Sequence, residues 1–94
     1  MPPLNPLVWF ITGTSSGFGA QLVRSALSRG DKVIATARPS SFKQLPSSLK
    51  LEKNAENCKY LELDVTDPQE KIENAAKDAI GSWGRVDVVV NNAG

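Results

Sequence analysis

The chain has 94 residues, 40% of them hydrophobic and 22% charged, with a formal net charge of +1. That is an ordinary soluble globular composition, and a near-neutral total gives no reason to expect nucleic acid or an anionic membrane as a partner. One cysteine, Cys58, excludes an intrachain disulfide, and the lack of histidine excludes a Ser-His-Asp triad, histidine acid–base work and histidine metal ligands within these residues.

A domain takes about 100–200 residues, so the chain has room for one small domain or part of a larger one. Cys58 reads as a small apolar residue rather than a reactive thiol. A single cysteine is compatible with a reducing compartment, and a cytoplasmic location is the expectation. No apolar run approaches the ~20 residues of a membrane span. The first run, Leu7 to Ile11, has no Lys or Arg before it, so it does not read as a signal peptide.

Residues 1–6 contain three prolines and read as a loose lead-in. Leu7 to Ile11 is continuously apolar between a proline and a glycine, which predicts a strand buried on both faces, with Trp9 and Phe10 in the core. Gly17 to Arg29 predicts a helix with Phe18, Leu22, Val23 and Ala26 on its apolar face and Gly30 as its C-terminal cap. Lys32 to Ala37 is a second strand. Pro39 to Cys58 is mixed in character: a short helix between Phe42 and Leu45 fits, and Ser47 to Leu51 reads either way. Lys59 to Leu63 is a short alternating strand.

The next helix has the strongest pattern. Asp67 is a natural N-cap, Pro68 suits the first helical position and Glu70 completes a capping box. Ile72, Ala75, Ala76, Ala79, Ile80 and Trp83 form one apolar stripe, Glu73 and Lys77 an i, i+4 pair, and Gly81 and Gly84 the end. Val86 to Val90 is a final buried strand. Alternating strands and helical connections predict a parallel α/β sheet, doubly wound and incomplete, of about four strands in the order 3-2-1-4. Right-handed crossovers put the first two connections on one face and the Pro68 helix on the other. The first and fourth strands then meet at the switch point, where a ligand is expected.

Two motifs flank that point. Thr12 to Gly19, TGTSSGFG, is a glycine-rich turn between a strand and a helix. Such a turn aims backbone N–H groups and the positive end of a helix dipole at an anion. Gly13 permits the sharp exit, while Gly17 and Gly19 remove side chains where a pyrophosphate approaches. A tight turn without ligand is the plainer reading of the octamer alone. At the other end stands Asn91-Asn92-Ala93-Gly94. Together the two resemble the TGxxxGxG and NNAG motifs of the short-chain dehydrogenases/reductases, a likeness that covers Val8 to Gly94.

The resemblance implies a Rossmann-type fold over residues 1–94, the NAD(P)-binding part of an oxidoreductase that moves hydride between NADP(H) and a small carbonyl or alcohol substrate. It implies a cofactor site of Gly13, Thr14, Ser15, Ser16, Gly17, Phe18, Gly19, Arg38, Asp64, Val65, Asn91, Ala93 and Gly94. Asp64 would accept from the adenine amino group, a carboxylate being a pure acceptor. A local turn is the alternative there, with Asp67 taken as the helix cap. Ala37-Arg38 ends the second strand where an NAD site normally carries Asp or Glu, so NADP is expected over NAD, with Arg38 and Ser16 on the 2′-phosphate. A solvated surface arginine is the alternative. The family's catalytic Ser, Tyr and Lys have no counterparts: Tyr60 is the one tyrosine, and four residues on stands Asp64 rather than lysine. The expectation is therefore a partial chain, inactive alone. A stand-alone NADP(H)-binding or sensing module is the alternative.

Overall fold

The computed structural model describes residues 6–14, 17–51, 54–64 and 66–92. Four strands, β1 (Val8–Ile11), β2 (Lys32–Ala37), β3 (Cys58–Glu62) and β4 (Val88–Val90), form one parallel sheet in the order β3-β2-β1-β4. The helices are α1 (Gly17–Ser28), α2 (Pro39–Phe42), α3 (Leu45–Leu49) and α4 (Gln69–Trp83), with a 3₁₀ turn over Ala55–Asn57. Order and direction are those the patterning predicts.

The pleat sends alternate residues to opposite faces. On one face Ile11, Val33, Ala35, Ala37 and Cys58 pack with Val23, Ala26 and Leu27 of α1 and Leu45 and Leu49 of α3. On the other, Val8 and Ile34 meet Ala79 of α4, with Phe10, Leu61, Trp83 and Val86 around them. The first connections and α4 thus lie on opposite faces. That geometry makes the boundary between β1 and β4 the switch point.

Several local expectations are corrected. Phe18 is 64% exposed. The buried face of α1 is Gly19, Ala20, Val23, Ala26 and Leu27, because the first turn is drawn onto the sheet through its smallest residues and Phe18 is rotated outward. Trp9 and Phe10 are half-buried rather than enclosed. The indole N–H of Trp9 donates to Asp31 Oδ2 at 3.0 Å, and Phe10 packs at the margin of the smaller cluster on the α4 face. The stretch from Phe42 to Leu45 is the break between α2 and α3, not a helix. Ser47 to Leu51 resolves into the end of α3 and its left-handed cap, Lys50. Strand β3 starts one residue early, and β4 is shorter than expected, although the Asp87 N–H already donates to the Val8 carbonyl at 2.9 Å.

Helix α4 departs most. Pro68, not Asp67, holds the N-cap position, and no side chain caps the helix. The Asp67 carboxylate instead turns back to accept from the Asp64 N–H at 3.3 Å and lies 3.7 Å from Lys71. Without a side-chain cap, the Glu70 capping box does not form. Glu73 accepts from Gln69 at 3.3 Å, and among the described residues it makes no ion pair with Lys77. The helix runs through Gly81 and ends at Gly84, whose φ of 80° and N–H to the Ile80 carbonyl (2.7 Å) close it. The last turn, which ends at Gly84 as expected, brings Trp83 beneath the ammonium groups of Lys59 and Lys32, at 4.8 and 5.7 Å from its ring centre. Its stripe is only partly covered: Ala75 and Ala79 are buried, Ile80 is 47% exposed, and Val89 on the neighbouring edge strand is 68% exposed. Gly30, by contrast, caps α1 as expected, with φ 89° and a pair of closing bonds, Gly30 N–H to Leu27 (3.0 Å) and Asp31 N–H to Ala26 (3.1 Å).

Cys58 is buried in the α1-side core, and burial pushes its thiol up to about 11. A thiolate is the reactive form. At pH 8 such a group is about a hundredfold less ionised than an ordinary thiol at 9.0. Its reaction with a disulfide reagent is therefore expected to be slow in the native protein and to accelerate at least about a hundredfold in urea, measured as thiolate release over time. Equal rates in both states would mean that Cys58 is accessible.

Candidate functional site

The switch point is built by local necessity. Strand β1 ends at Ile11, and the chain must turn sharply to start α1 above the same sheet. Gly13 does this with φ 64° and Gly17 enters the helix with φ 64°, a left-handed conformation that costs a residue with a Cβ roughly 1–2 kcal/mol. Thr14 is buried, and its N–H (3.2 Å) and hydroxyl (3.0 Å) both donate to the Thr36 carbonyl. Its donors are thereby spent on pinning the turn to β2.

Gly19 has a packing role that the structure shows directly. A Cβ there would lie 2.3 Å from the Gly13 carbonyl oxygen and 2.7 Å from Nδ2 of Asn92. Its bareness lets α1 close onto the turn and onto the end of β4. At Gly17, by contrast, a Cβ would meet none of the described residues within 4 Å. No acidic side chain stands in the first turn of α1 to neutralise the positive end of its dipole. A helix N-terminus of this kind is a favourable place for an anion.

From the β4 side, the Asn92 side-chain amide donates to the Gly13 carbonyl at 3.2 Å, and its N–H donates to the Thr12 hydroxyl at 2.9 Å. The Thr12 N–H donates to the Val90 carbonyl at 3.1 Å. Asn91 is exposed beside this clasp, with its Oδ1 3.4 Å from the Thr12 hydroxyl. Thr12 and Asn92 are the residues the motif reading passed over. Their signal is the pairing of a hydroxyl on one motif with an amide on the other.

Along the same rim of the sheet lie Arg38 and Asp64. Arg38 is exposed just past β2 and opens α2 with extended backbone. Asp64 follows β3, whose pairing continues through the Leu63 N–H to the Ala37 carbonyl at 2.9 Å. The Thr66 hydroxyl and N–H, with the charges of Arg38 and Lys71, hold the Asp64 carboxyl below its usual range, so it is an ionised acceptor at neutral pH. Gly13, Gly17, Phe18, Gly19, Arg38, Asp64 and Asn91 therefore all sit at the C-terminal end of the sheet. Ser15, Ser16, Val65, Ala93 and Gly94 lie outside the described residues.

A left-handed glycine turn clasped by Asn92 at the end of β4 stands at the switch point, where a doubly wound sheet places its ligand. The profile of the short chain dehydrogenase family matches residues 7–94. The chain belongs to the short-chain dehydrogenases.

It is 42% identical over 88 residues to oxidoreductase BOA17 of Botryotinia fuckeliana, covering 93% of this chain and 30% of that protein. A variant of ElxO with NADPH bound superposes with a TM-score of 0.81 at 33% identity, over 96% of this chain and 36% of that one. The 3-ketoacyl-(acyl-carrier-protein) reductase of Brucella melitensis, complexed with NADH, gives 0.79 at 26% identity, over 98% and 36%. The chain thus spans about a third of the length of the relatives it matches. Within this segment Tyr60 lies on β3, at the opposite edge of the sheet from β4, half-buried among the α1-side residues. Burial raises its pKa, and it is not placed at the switch point. Among the described residues, no helix is long and apolar enough to cross a membrane, and no cluster of candidate ligands would hold a metal ion.

Proposed function

We propose that residues 1–94 form the cofactor-binding part of an NADP-dependent, cytoplasmic oxidoreductase acting on a small carbonyl or alcohol. The observation that carries this is at Gly17, where a side chain would meet none of the described residues within 4 Å and the first turn of α1 carries no acidic residue. Gly13, Ser15, Ser16, Gly17 and Phe18 would surround the pyrophosphate, with Thr14 and Gly19 holding the turn's shape. Asn91, Ala93 and Gly94 would flank the nicotinamide-side ribose. Asp64 and Val65 would meet the adenine, and Arg38 with Ser16 the 2′-phosphate. The bound cofactor supplies the hydride. The residues of this segment bind and orient it, and the proton-transferring group comes from elsewhere in the polypeptide. The threefold greater length of the relatives supports this over a stand-alone cofactor sensor.

The test separates binding from chemistry. The purified 94-residue chain, mixed with NADPH and a panel of aldehydes and ketones, is expected to consume no reduced cofactor above the uncatalysed background. The complete polypeptide is expected to consume it. Turnover by the short chain that survives repurification would place the chemistry within these residues and overturn the division proposed.

A further inference from the structure

We propose that Thr66 is a positioning residue for adenine recognition and acts through Asp64. The inference rests on the reading of Asp64 as the acceptor for the adenine amino group. One oxygen of that carboxylate is fully engaged: Asp64 Oδ1 accepts the Thr66 N–H at 2.9 Å and the Thr66 hydroxyl at 2.6 Å. Among the described residues nothing donates to Oδ2. The backbone below is closed in both directions, by the Asp67 N–H to the Asp64 carbonyl at 2.9 Å and the Asp64 N–H to Asp67 Oδ2 at 3.3 Å.

An aspartate's terminal torsion is broad and nearly two-fold, so an untethered carboxylate presents either oxygen over a wide arc. Two donors on one oxygen remove that freedom and commit the other oxygen to one direction. The backbone N–H alone suffices to close the turn, as in any Asx turn. The hydroxyl adds the second point that fixes the plane of the carboxylate. Thr66 is exposed, so burial does not account for a hydroxyl there. The same bonds favour the ionised form, which can only accept.

The experiment compares, in the complete polypeptide, NADPH with its hypoxanthine counterpart, in which a carbonyl oxygen replaces the amino group. Wild type is expected to bind NADPH at least roughly tenfold more tightly, because a carboxylate facing a carbonyl oxygen loses a charged hydrogen bond. Thr66→Ala and the isosteric Thr66→Val are expected to shrink that ratio by roughly three- to tenfold, through weaker NADPH binding with the analogue unchanged. Thr66→Ser should restore it. The ratio is taken within each variant, so partial unfolding cancels. If wild type does not discriminate, the reading of Asp64 falls. If wild type discriminates and both hydroxyl-less variants discriminate equally well, Thr66 serves the loop alone and this proposal is overturned.

Discussion

Arg38→Ala, made in the complete polypeptide, is expected to weaken NADPH binding by roughly ten- to a hundredfold and to leave NADH binding unchanged. The guanidinium is exposed at the C-terminal end of β2, on the same rim as Asp64, close enough for its charge to act on that carboxyl. No acidic side chain stands at Ala37 or Arg38 to accept from a free 2′-hydroxyl or to repel a phosphate. Charge-assisted hydrogen bonds contribute about 1.5–3 kcal/mol, which sets the expected factor. The structure also decides how to reverse the preference. Ala37 is buried among Ile11, Leu45 and their neighbours, so an aspartate there would bring a carboxylate into an apolar cluster and confound cofactor choice with folding. Arg38→Glu changes the charge at an exposed position and is the cleaner variant. The measurement is a pair of dissociation constants for each protein. An unchanged NADPH-to-NADH ratio in Arg38→Ala would leave Arg38 as a surface residue and remove the main support for NADP.

Gly19→Ala is expected to destabilise the protein by about 1–3 kcal/mol and to abolish measurable cofactor binding. One methyl group would have to fit 2.3 Å from a backbone oxygen of Gly13, which is itself held by Asn92. Neither α1 nor the turn can retreat without breaking the clasp or lifting Ala20 and Val23 from the core. Gly81→Ala provides the contrast. Its Cβ would meet nothing within 4 Å, it lies inside α4, and removing a helical glycine there should stabilise by about 0.5–1 kcal/mol. Urea unfolding of the two variants reads both signs in one assay. If Gly19→Ala unfolds at the wild-type midpoint and still binds NADPH, the close approach of α1 to the turn is not required.

The sheet was readable because its signals are long and mutually consistent: apolar β-branched runs, one glycine-capped helix, and a helix with a full-length stripe. Strand order followed from the doubly wound pattern, in which the first four strands run 3-2-1-4 and β1 and β4 are neighbours. What escaped were features decided by tertiary contact. Leu45 and Leu49 are both fully buried and four residues apart, one turn of a helix, but Pro46 and two serines hide that pattern in composition. Asp67 looks like a cap because the residue type suits one, and it is diverted because Asp64 and Thr66 have already shaped the turn before it. In sequence, Asp31 stands before β2, the wrong end of that strand for a ribose carboxylate. It is buried, and its carboxylate accepts from the Leu7 N–H and the Trp9 indole, both at 3.0 Å, fastening the start of β1. Asp87 does the same from β4's side, taking the Val8 N–H at 2.8 Å, and that bond with the Arg85 guanidinium keeps its carboxyl below the usual range. The carboxylate is ionised well into mildly acidic solution. The fastening it provides is therefore present above the unfolded pKa and lost only as pH falls through the lowered native one.

The clasp between Asn92 and Gly13 joins residues 79 positions apart, and so does the bond from the Val8 N–H to Asp87. Contacts of such separation form late, after the local helices and the β1–β2 pairing have lowered the cost of closing so long a loop. During synthesis at about 5–20 residues per second, the glycine turn waits roughly 4–16 s before the asparagine that will grip it has been added. Until then nothing from β4 holds the Gly13 carbonyl in place. The glycine turn is consequently expected to be among the last parts of this segment to become rigid. On the proposed reading of this turn as the pyrophosphate site, a nucleotide meets it in its held form only after β4 has paired with β1.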